Sequence, residues 1–402
     1  MKRLLLIVCA FLFLQDAKAT HLMGGDITAK LDSAGNYTIQ LTHYRDTLGI
    51  PLDPTVTLKL YLENSGSWVI WTTAVVPLNV AASTALIPSF PYGIEVGVYT
   101  MSMALPPGKV RITNDVCCRN NAIVNMFDPG AESLVLYTDV LVDTPSGNST
   151  PDFLAMPVAY FPQNQPATYN PLPFDPDGDS LSWNLNVPMG NTNGLTTVPV
   201  LLFTPPSSDP SGPFAINPVT GEITWTPDML GNFVQSFEVI EYKNGLPVGK
   251  IIRDMQYVIV PDTGNSSPFF QMVTPYSTNT SQSYYYAYYN SGSPFNFQIQ
   301  GADNDPNDPL EMEAFSQAFS MANPAMFTTA NTAGTITGSF NWTPPASFTQ
   351  DVIVVFRIGD GQFAKDFTLL LKKNPNPNAV NTIATAVSEL KVFPNPASDV
   401  IN

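Results

Sequence analysis

Ile223-Thr224-Trp225-Thr226-Pro227 returns 117 residues later as Phe340-Asn341-Trp342-Thr343-Pro344. A second anchor keeps that interval: Asn148-Ser149-Thr150-Pro151-Asp152-Phe153 comes back as Asn265-Ser266-Ser267-Pro268-Phe269-Phe270. Between the anchors, an acidic loop starting at Asp175 recurs at Asp303, an interval of 128. The second copy thus carries about 11 extra residues before its loop and lacks about 11 after it. A period this long is that of a whole domain and not of a solenoid repeat. The chain therefore holds two tandem homologous units, 148–264 and 265–373.

The local patterns around the anchors are those of strands. Upstream, Asn36 to Tyr44, Val56 to Leu62, Trp68 to Val75, Val96 to Met103 and Ser133 to Val142 alternate apolar with polar residues or form short β-branched runs. With 38 Pro and 25 Gly among 402 residues, turns interrupt the chain too often for long helices. Short strands separated by turns predict an all-β protein of tandem β-sandwich domains, the first of them spanning 20–147. Residues 374–387 (NPNPNAVNTIATAV) read as a Pro/Asn-rich linker.

Both ends of the chain carry export features. Residues 1–19 have a basic start (Lys2, Arg3), an apolar stretch from Leu4 to Leu14 and the small-x-small site Ala17-Lys18-Ala19, which together predict a secretory signal peptide. The apolar stretch is too short to span a bilayer, and no later segment qualifies. Losing Lys2, Arg3, Lys18 and Asp16 takes the net charge from −16 to −18. Such a chain repels nucleic acid and anionic lipid and attracts cations.

Each unit continues from its acidic loop to the Trp-Thr-Pro step and then to an apolar strand. The first copy reads D-P-D-G-D-S-L (Asp175 to Leu181), N-P-V-T-G-E-I-T-W-T-P (Asn217 to Pro227) and F-E-V-I-E (Phe237 to Glu241). The second reads D-N-D-P-N-D-P-L (Asp303 to Leu310), G-S-F-N-W-T-P (Gly338 to Pro344) and F-R-I-G-D-G (Phe356 to Gly361). This order resembles the bacterial Ig-like and dystroglycan-type cadherin-like domains of large surface proteins, over roughly residues 150–373. Glu241-Tyr242 departs from the Asp-Gly usual at that point. The tail S-E-L-K-V-F-P-N-P-A-S-D-V-I-N (Ser388 to Asn402) is similar to the opening of the C-terminal sorting domain of the type IX secretion system of Bacteroidota. That resemblance implies a truncated sorting domain over 388–402 and the type IX machinery as a partner. T-H-L-M-G-G-D-I-T (Thr20 to Thr28) and N-D-V-C-C-R-N-N-A-I-V-N (Asn114 to Asn125) resemble the first domain of secreted Bacteroidota proteins, which implies surface exposure and supplies no activity.

Calcium is the one site chemistry with a physical case. Carboxylates at alternate loop positions converge on a hard cation that takes six to eight oxygens. Asp175, Asp177 and Asp179 have this spacing, as do Asp303 and Asp305 with Asp308 close behind; Glu241 and Asp360 lie at matching positions of the two copies, four residues after Phe237 and Phe356. An EF-hand is excluded, since Ser180 and Asn186 stand where Gly and Glu are required. The competing reading is that these Asp, Asn and Gly residues simply build turns.

Catalysis finds little support. His21 and His43 are the two histidines, and neither H-E-x-x-H nor G-x-S-x-G occurs. Tyr284, Tyr286 and Tyr288 share one face of a strand, as a candidate surface for a sugar or protein ligand, or as packing against a neighbouring domain. Cys117 and Cys118 remain once the signal is removed, and they stand as unpaired thiols, a vicinal disulfide or a bond to another chain. The sequence is thus read as a non-catalytic, secreted structural or adhesion-type protein of the outer cell surface, with an unidentified protein or glycan ligand. A carbohydrate-binding accessory protein is the alternative and a glycosidase a distant third.

Overall fold

The computed structural model describes residues 22–375 apart from 48, 87–92, 143–146, 156–159, 192–196, 273, 306 and 333. The signal peptide, the sorting segment at 388–402 and nearly all of the linker at 374–387 lie outside the described residues. What is described is β-sheet, with two short 3-10 turns; no helix in it is long and apolar enough to cross a membrane.

Eight strands form the N-terminal module: β1 (Leu22–Leu31), β2 (Tyr37–Asp46), β3 (Thr55–Asn64), β4 (Ser67–Pro77), β5 (Thr84–Leu86), β6 (Ile94–Met103), β7 (Gly108–Cys117) and β8 (Ser133–Val142). Alternation decides which face is buried. Tyr37, Ile39 and Leu41 of β2, Leu58 and Leu60 of β3, Val110 and Ile112 of β7 and Leu134 and Leu136 of β8 meet in one core, while Thr55 and Thr57 face solvent. Each such Leu or Ile contributes roughly 1.5–3 kcal/mol on burial. The β3–β4 hairpin turns on Ser65 and Gly66, both at positive φ (51° and 82°), the conformation a two-residue hairpin matching strand twist requires.

The second repeat, 265–373, is a two-sheet sandwich. One sheet has the order Phe269–Met272, Phe295–Ala302, Thr335–Trp342, Met326–Thr332, and the other Ser277–Asn279, Tyr284–Tyr289, Ala364–Lys373, Val352–Gly359, Glu311–Phe315. Phe297, Phe340, Phe356 and Leu369 interdigitate between them. The first repeat keeps the same plan: Tyr160–Pro162 runs parallel to Leu246–Val260, as Tyr284–Tyr289 runs parallel to Ala364–Lys373. The two anchor tryptophans have like surroundings. Trp225 lies among Phe161, Phe214, Phe233 and Tyr257 and donates its indole N–H to Ser207 O at 3.0 Å. Trp342 lies against Tyr289 and Phe348 and donates to Asn323 O at 3.2 Å.

The expected boundary at 147/148 is not a break in hydrogen bonding. Leu246–Val260 of the first repeat pairs with Gly231–Lys243 on one side, and on the other with β8 at Gly249–Ile251 and β1 at Asp254–Met255. A single 12-stranded sheet results, and Met23, Tyr44 and Val96 of the N-terminal module share a core with Trp183, Trp225 and Phe237 of the repeat. The physical reason is that Leu246–Val260 is covered by Gly231–Lys243 along only one edge, and its 15-residue length leaves the other edge long enough to take β8, β1 and Tyr160–Pro162 in turn.

The Asn114–Asn125 segment works as a clasp across this seam. Cys117 and Cys118 stand at the end of β7 with their Sγ atoms facing each other, and the next residue, Arg119, forms a buried bidentate pair with Asp254 (2.8 and 2.9 Å). Asn125 then receives Val234 N–H on Oδ1 and donates Nδ2 to Val234 O and Thr204 O, so one side chain joins three backbone groups of the repeat.

His43, a strand residue as expected, is buried with Nε2 3.0 Å from Asn114 Oδ1; Asn114 spends its own amide on Thr57 O, so Nε2 carries the proton. Burial pushes this imidazole down to about 4 from 6.5. The folded state therefore resists the proton that the unfolded state accepts below pH 6.5, and stability is lost as pH falls from 6.5 to about 4. The loss sums to roughly 3 kcal/mol at about 1.36 kcal/mol per pH unit. Urea denaturation of wild type and His43→Gln across this range is expected to show the difference between them narrowing as pH falls; a constant difference contradicts it.

Candidate metal centres at the module junctions

Each acidic loop folds around its own first aspartate. Asp175 Oδ1 accepts the N–H groups of Asp177 and Asp179, both at 2.9 Å, and Asp303 Oδ1 accepts that of Asp305 at 2.9 Å. This Asx-type winding leaves the second oxygen of Asp175 and Asp303 pointing away from the loop, unpartnered. In the first copy, Glu241 arrives from the paired strand, with Leu181↔Glu241 in register.

One oxygen each from Asp175, Asp179 and Glu241 lies within 4.8 Å of the others, and the same holds for Asp303, Asp308 and Asp360. Two oxygens about 2.4 Å from one calcium ion stand at most about 4.8 Å apart, so both triads have the dimensions of a calcium shell. The first triad fits the ion more closely. Glu241 is fully buried, and Glu241 Oε1, Asp175 Oδ2, Asp179 Oδ2 and Asn148 Oδ1 are buried without hydrogen-bond partners. Lys243 Nζ stands 3.5 Å from Asp179 Oδ2, a contact too long to satisfy that oxygen. Three converging carboxylates with orphan oxygens form a cradle that a hard cation completes. In the second triad Asp360 is already satisfied: Oδ1 accepts Gln362 and Phe363 N–H at 2.6 Å, and Oδ2 accepts Asn265 Nδ2 at 3.0 Å. Only Asp303 Oδ2 remains orphaned there. Burial, then the neighbouring Asp175 charge, pushes Glu241 up to about 9; burial likewise raises Asp175 to about 6 and lifts Asp303. Without a cation the first cluster holds protons, which a bound cation would displace.

Asp177 and Asp305 do not join the triads. Their Oδ2 atoms accept the linker N–H of Ser149 (2.5 Å) and Ser266 (2.8 Å). Alternate spacing brought them into the loop but not onto its inner side. Asn148 and Asn265, which sequence reasoning passed over, occupy equivalent places: Asn148 Nδ2 donates to Glu241 Oε2 (2.9 Å) and Asn265 Nδ2 to Asp360 Oδ2. Their signal was the recurrent Asn-Ser-x-Pro anchor itself. Each triad is thus tied to the segment that enters its unit. Thr150 and Ala29 exchange two hydrogen bonds at 2.8 Å at the first junction, and Gln165 grips Asn265 O and Ser267 N at the second.

Among the tyrosines, Tyr284 is buried, with its hydroxyl within reach of Lys372 Nζ (3.1 Å) and Asn279 Nδ2 (3.0 Å), whereas Tyr288 is exposed. Neighbouring rings meet edge to face, at 63° for Tyr284–Tyr286 and 80° for Tyr286–Tyr288. They form a herringbone and not a flat platform.

No protein-family model and no curated protein matches the chain. Similar solved structures include a complex of Dpr2 Ig1-Ig2 with DIP-Theta Ig1-Ig3 (10% identity, 84% of this chain and 94% of that chain, TM-score 0.19). The titin I-band fragment I67-I69 (6%, 84% and 93%, TM-score 0.18) and human protocadherin-24 EC1-2 (14%, 56% and 98%, TM-score 0.19) are others. Scores this low bear no argument, and the fold stands on the chain's own sheets and registers.

Proposed function

We propose that this chain is a non-catalytic, exported surface protein of structural or adhesive type, whose modules are held in fixed relation by the shared sheet and by calcium at the junctions. The observation that carries the metal reading is the first triad: a fully buried glutamate and two aspartates turn unpartnered oxygens onto one point beside the linker. The signal peptide at 1–19 and the tail at 388–402 support export and anchoring by a type IX route in a Bacteroidota cell. The second triad, with its hydrogen bonds already made, takes calcium more weakly.

Thermal or urea unfolding in about 10 mM calcium and in chelator tests this reading. With an extracellular-type dissociation constant near 10⁻⁴ M, calcium is expected to stabilise the first site by about 2.7 kcal/mol. Glu241→Gln keeps the acceptor for Asn148 and removes one charge. It is expected to unfold alike in both conditions, at the chelator-treated wild-type value. Identical unfolding of the wild type with and without calcium contradicts the metal reading, and turnover of a polysaccharide contradicts the non-catalytic one.

A further inference from the structure

We propose that the outer face of β3, β7 and β8 is a saccharide-binding trough, which would give the N-terminal module its ligand. The observation is a half-open cavity of about 370 Å³, walled by aromatic rings and floored by fixed polar groups. Cross-strand register builds it. Tyr61 pairs with Arg111 and Arg111 with Asp139, so these three stand in one row; Lys59, Thr113 and Tyr137 make the next row on the same face.

Two features make the trough rigid before any guest arrives. Asp139, itself buried, grips Arg111 through Nε (2.6 Å) and Nη2 (2.8 Å). The guanidinium is then sandwiched between Trp68, 4.3 Å away, and Tyr137, 4.2 Å away. This stack holds the indole at the rim. At the other end, the Asp115 carboxylate accepts Asn191 Nδ2 and lies 3.8 Å from Lys59 Nζ. A carboxylate, an amide and an ammonium are thereby placed side by side.

A sugar ring needs this combination. Its hydroxyls on adjacent carbons each donate and accept, and so call for neighbouring acceptors and donors already in position; its C–H face calls for flat aromatic surface. Groups that are already ordered lose little entropy when it binds. Other guests fit less well. A lone carboxylate at Asp115 does not make a metal site, the polar floor disfavours a purely apolar molecule, and a net charge of −16 repels nucleic acid. The cavity lies at the small end of the range for ligand pockets, about 300–1,000 Å³, which suits one or two sugar rings. The trough is separate from both acidic triads, so this proposal does not depend on calcium.

Affinity electrophoresis of the full chain through gels containing mannan, xylan, laminarin or alginate tests the proposal. At least one polymer is expected to retard the wild type. In that gel Trp68→Ala and Asn191→Leu are each expected to weaken binding about tenfold or more, since an aromatic anchor and a hydrogen bond to a fixed polar cluster are lost. Asn191 lies outside the strands, so this second variant reads the trough even where Trp68→Ala impairs folding. Tyr288→Ala is expected to bind like wild type. Mobility unchanged by all four polymers overturns the proposal, as does retardation that both trough variants preserve or that Tyr288→Ala abolishes. A peptide library whose winners require Trp68 while no polymer binds also overturns it.

Discussion

Arg119→Ala is expected to destabilise the N-terminal module and the first repeat together by about 3–5 kcal/mol. The Arg119 and Asp254 side chains are 2% and 1% exposed, and their two hydrogen bonds are supplemented by donations from Arg119 to Ser133 O (3.2 Å) and Met189 O (3.0 Å). Truncating the arginine leaves a carboxylate in an apolar seam with no counter-charge, and strands its two carbonyl partners. The cost is therefore that of an uncompensated buried charge and exceeds the net worth of the pair. Replacing both members with apolar residues, as in Arg119→Met/Asp254→Leu, is expected to cost clearly less than Arg119→Ala alone. Urea denaturation followed by tryptophan fluorescence measures both. A loss below about 1 kcal/mol for Arg119→Ala would mean that the clasp does not hold the seam.

The second large effect separates the modules. Trp225→Ala and Trp342→Ala each remove a 3% exposed indole from an aromatic cluster, and each is expected to cost about 3–5 kcal/mol. The two losses should fall in different places. Because Leu246–Val260 belongs to the sheet of both the N-terminal module and the first repeat, Trp225→Ala is expected to open both to protease at one denaturant concentration. Trp342 lies in the core of 265–373, whose strands pair with none of 22–260, so Trp342→Ala is expected to open that unit first, while 22–260 loses only what Phe363, Asp366 and Thr368 lend it and stays protected to higher denaturant. Limited proteolysis with mass spectrometry distinguishes the outcomes. Independent release of the N-terminal module in Trp225→Ala would show that the shared sheet does not couple them.

Much of this was legible because duplication makes a sequence its own alignment. Glu241 and Asp360 were found by their common offset from Phe237 and Phe356, and the structure brings both to the triads. The tryptophans were legible for the same reason. Spacing along a loop does not say which side a carboxylate faces, and that hid the turning of Asp177 and Asp305 onto the linker. The fused seam was hidden differently. Ile251 to Val260 is buried throughout, as a strand covered on both faces must be, but Arg253, Asp254 and Gln256 interrupt its apolar run. Their partners, Asp26 and Tyr44 for Arg253 and Arg119 for Asp254, come from strands or loops more than 130 residues away. The trough was not legible at all, because Trp68, Arg111 and Asp139 come from three strands and meet only through register.

A crystal structure of the full chain grown in about 10 mM calcium bears most directly on the central claim. The account predicts a density peak about 2.3–2.6 Å from oxygens of Asp175, Asp179 and Glu241, with the peak at Asp303, Asp308 and Asp360 weaker. A first triad with no ion among the Asp175, Asp179 and Glu241 oxygens in crystals grown in calcium would contradict it.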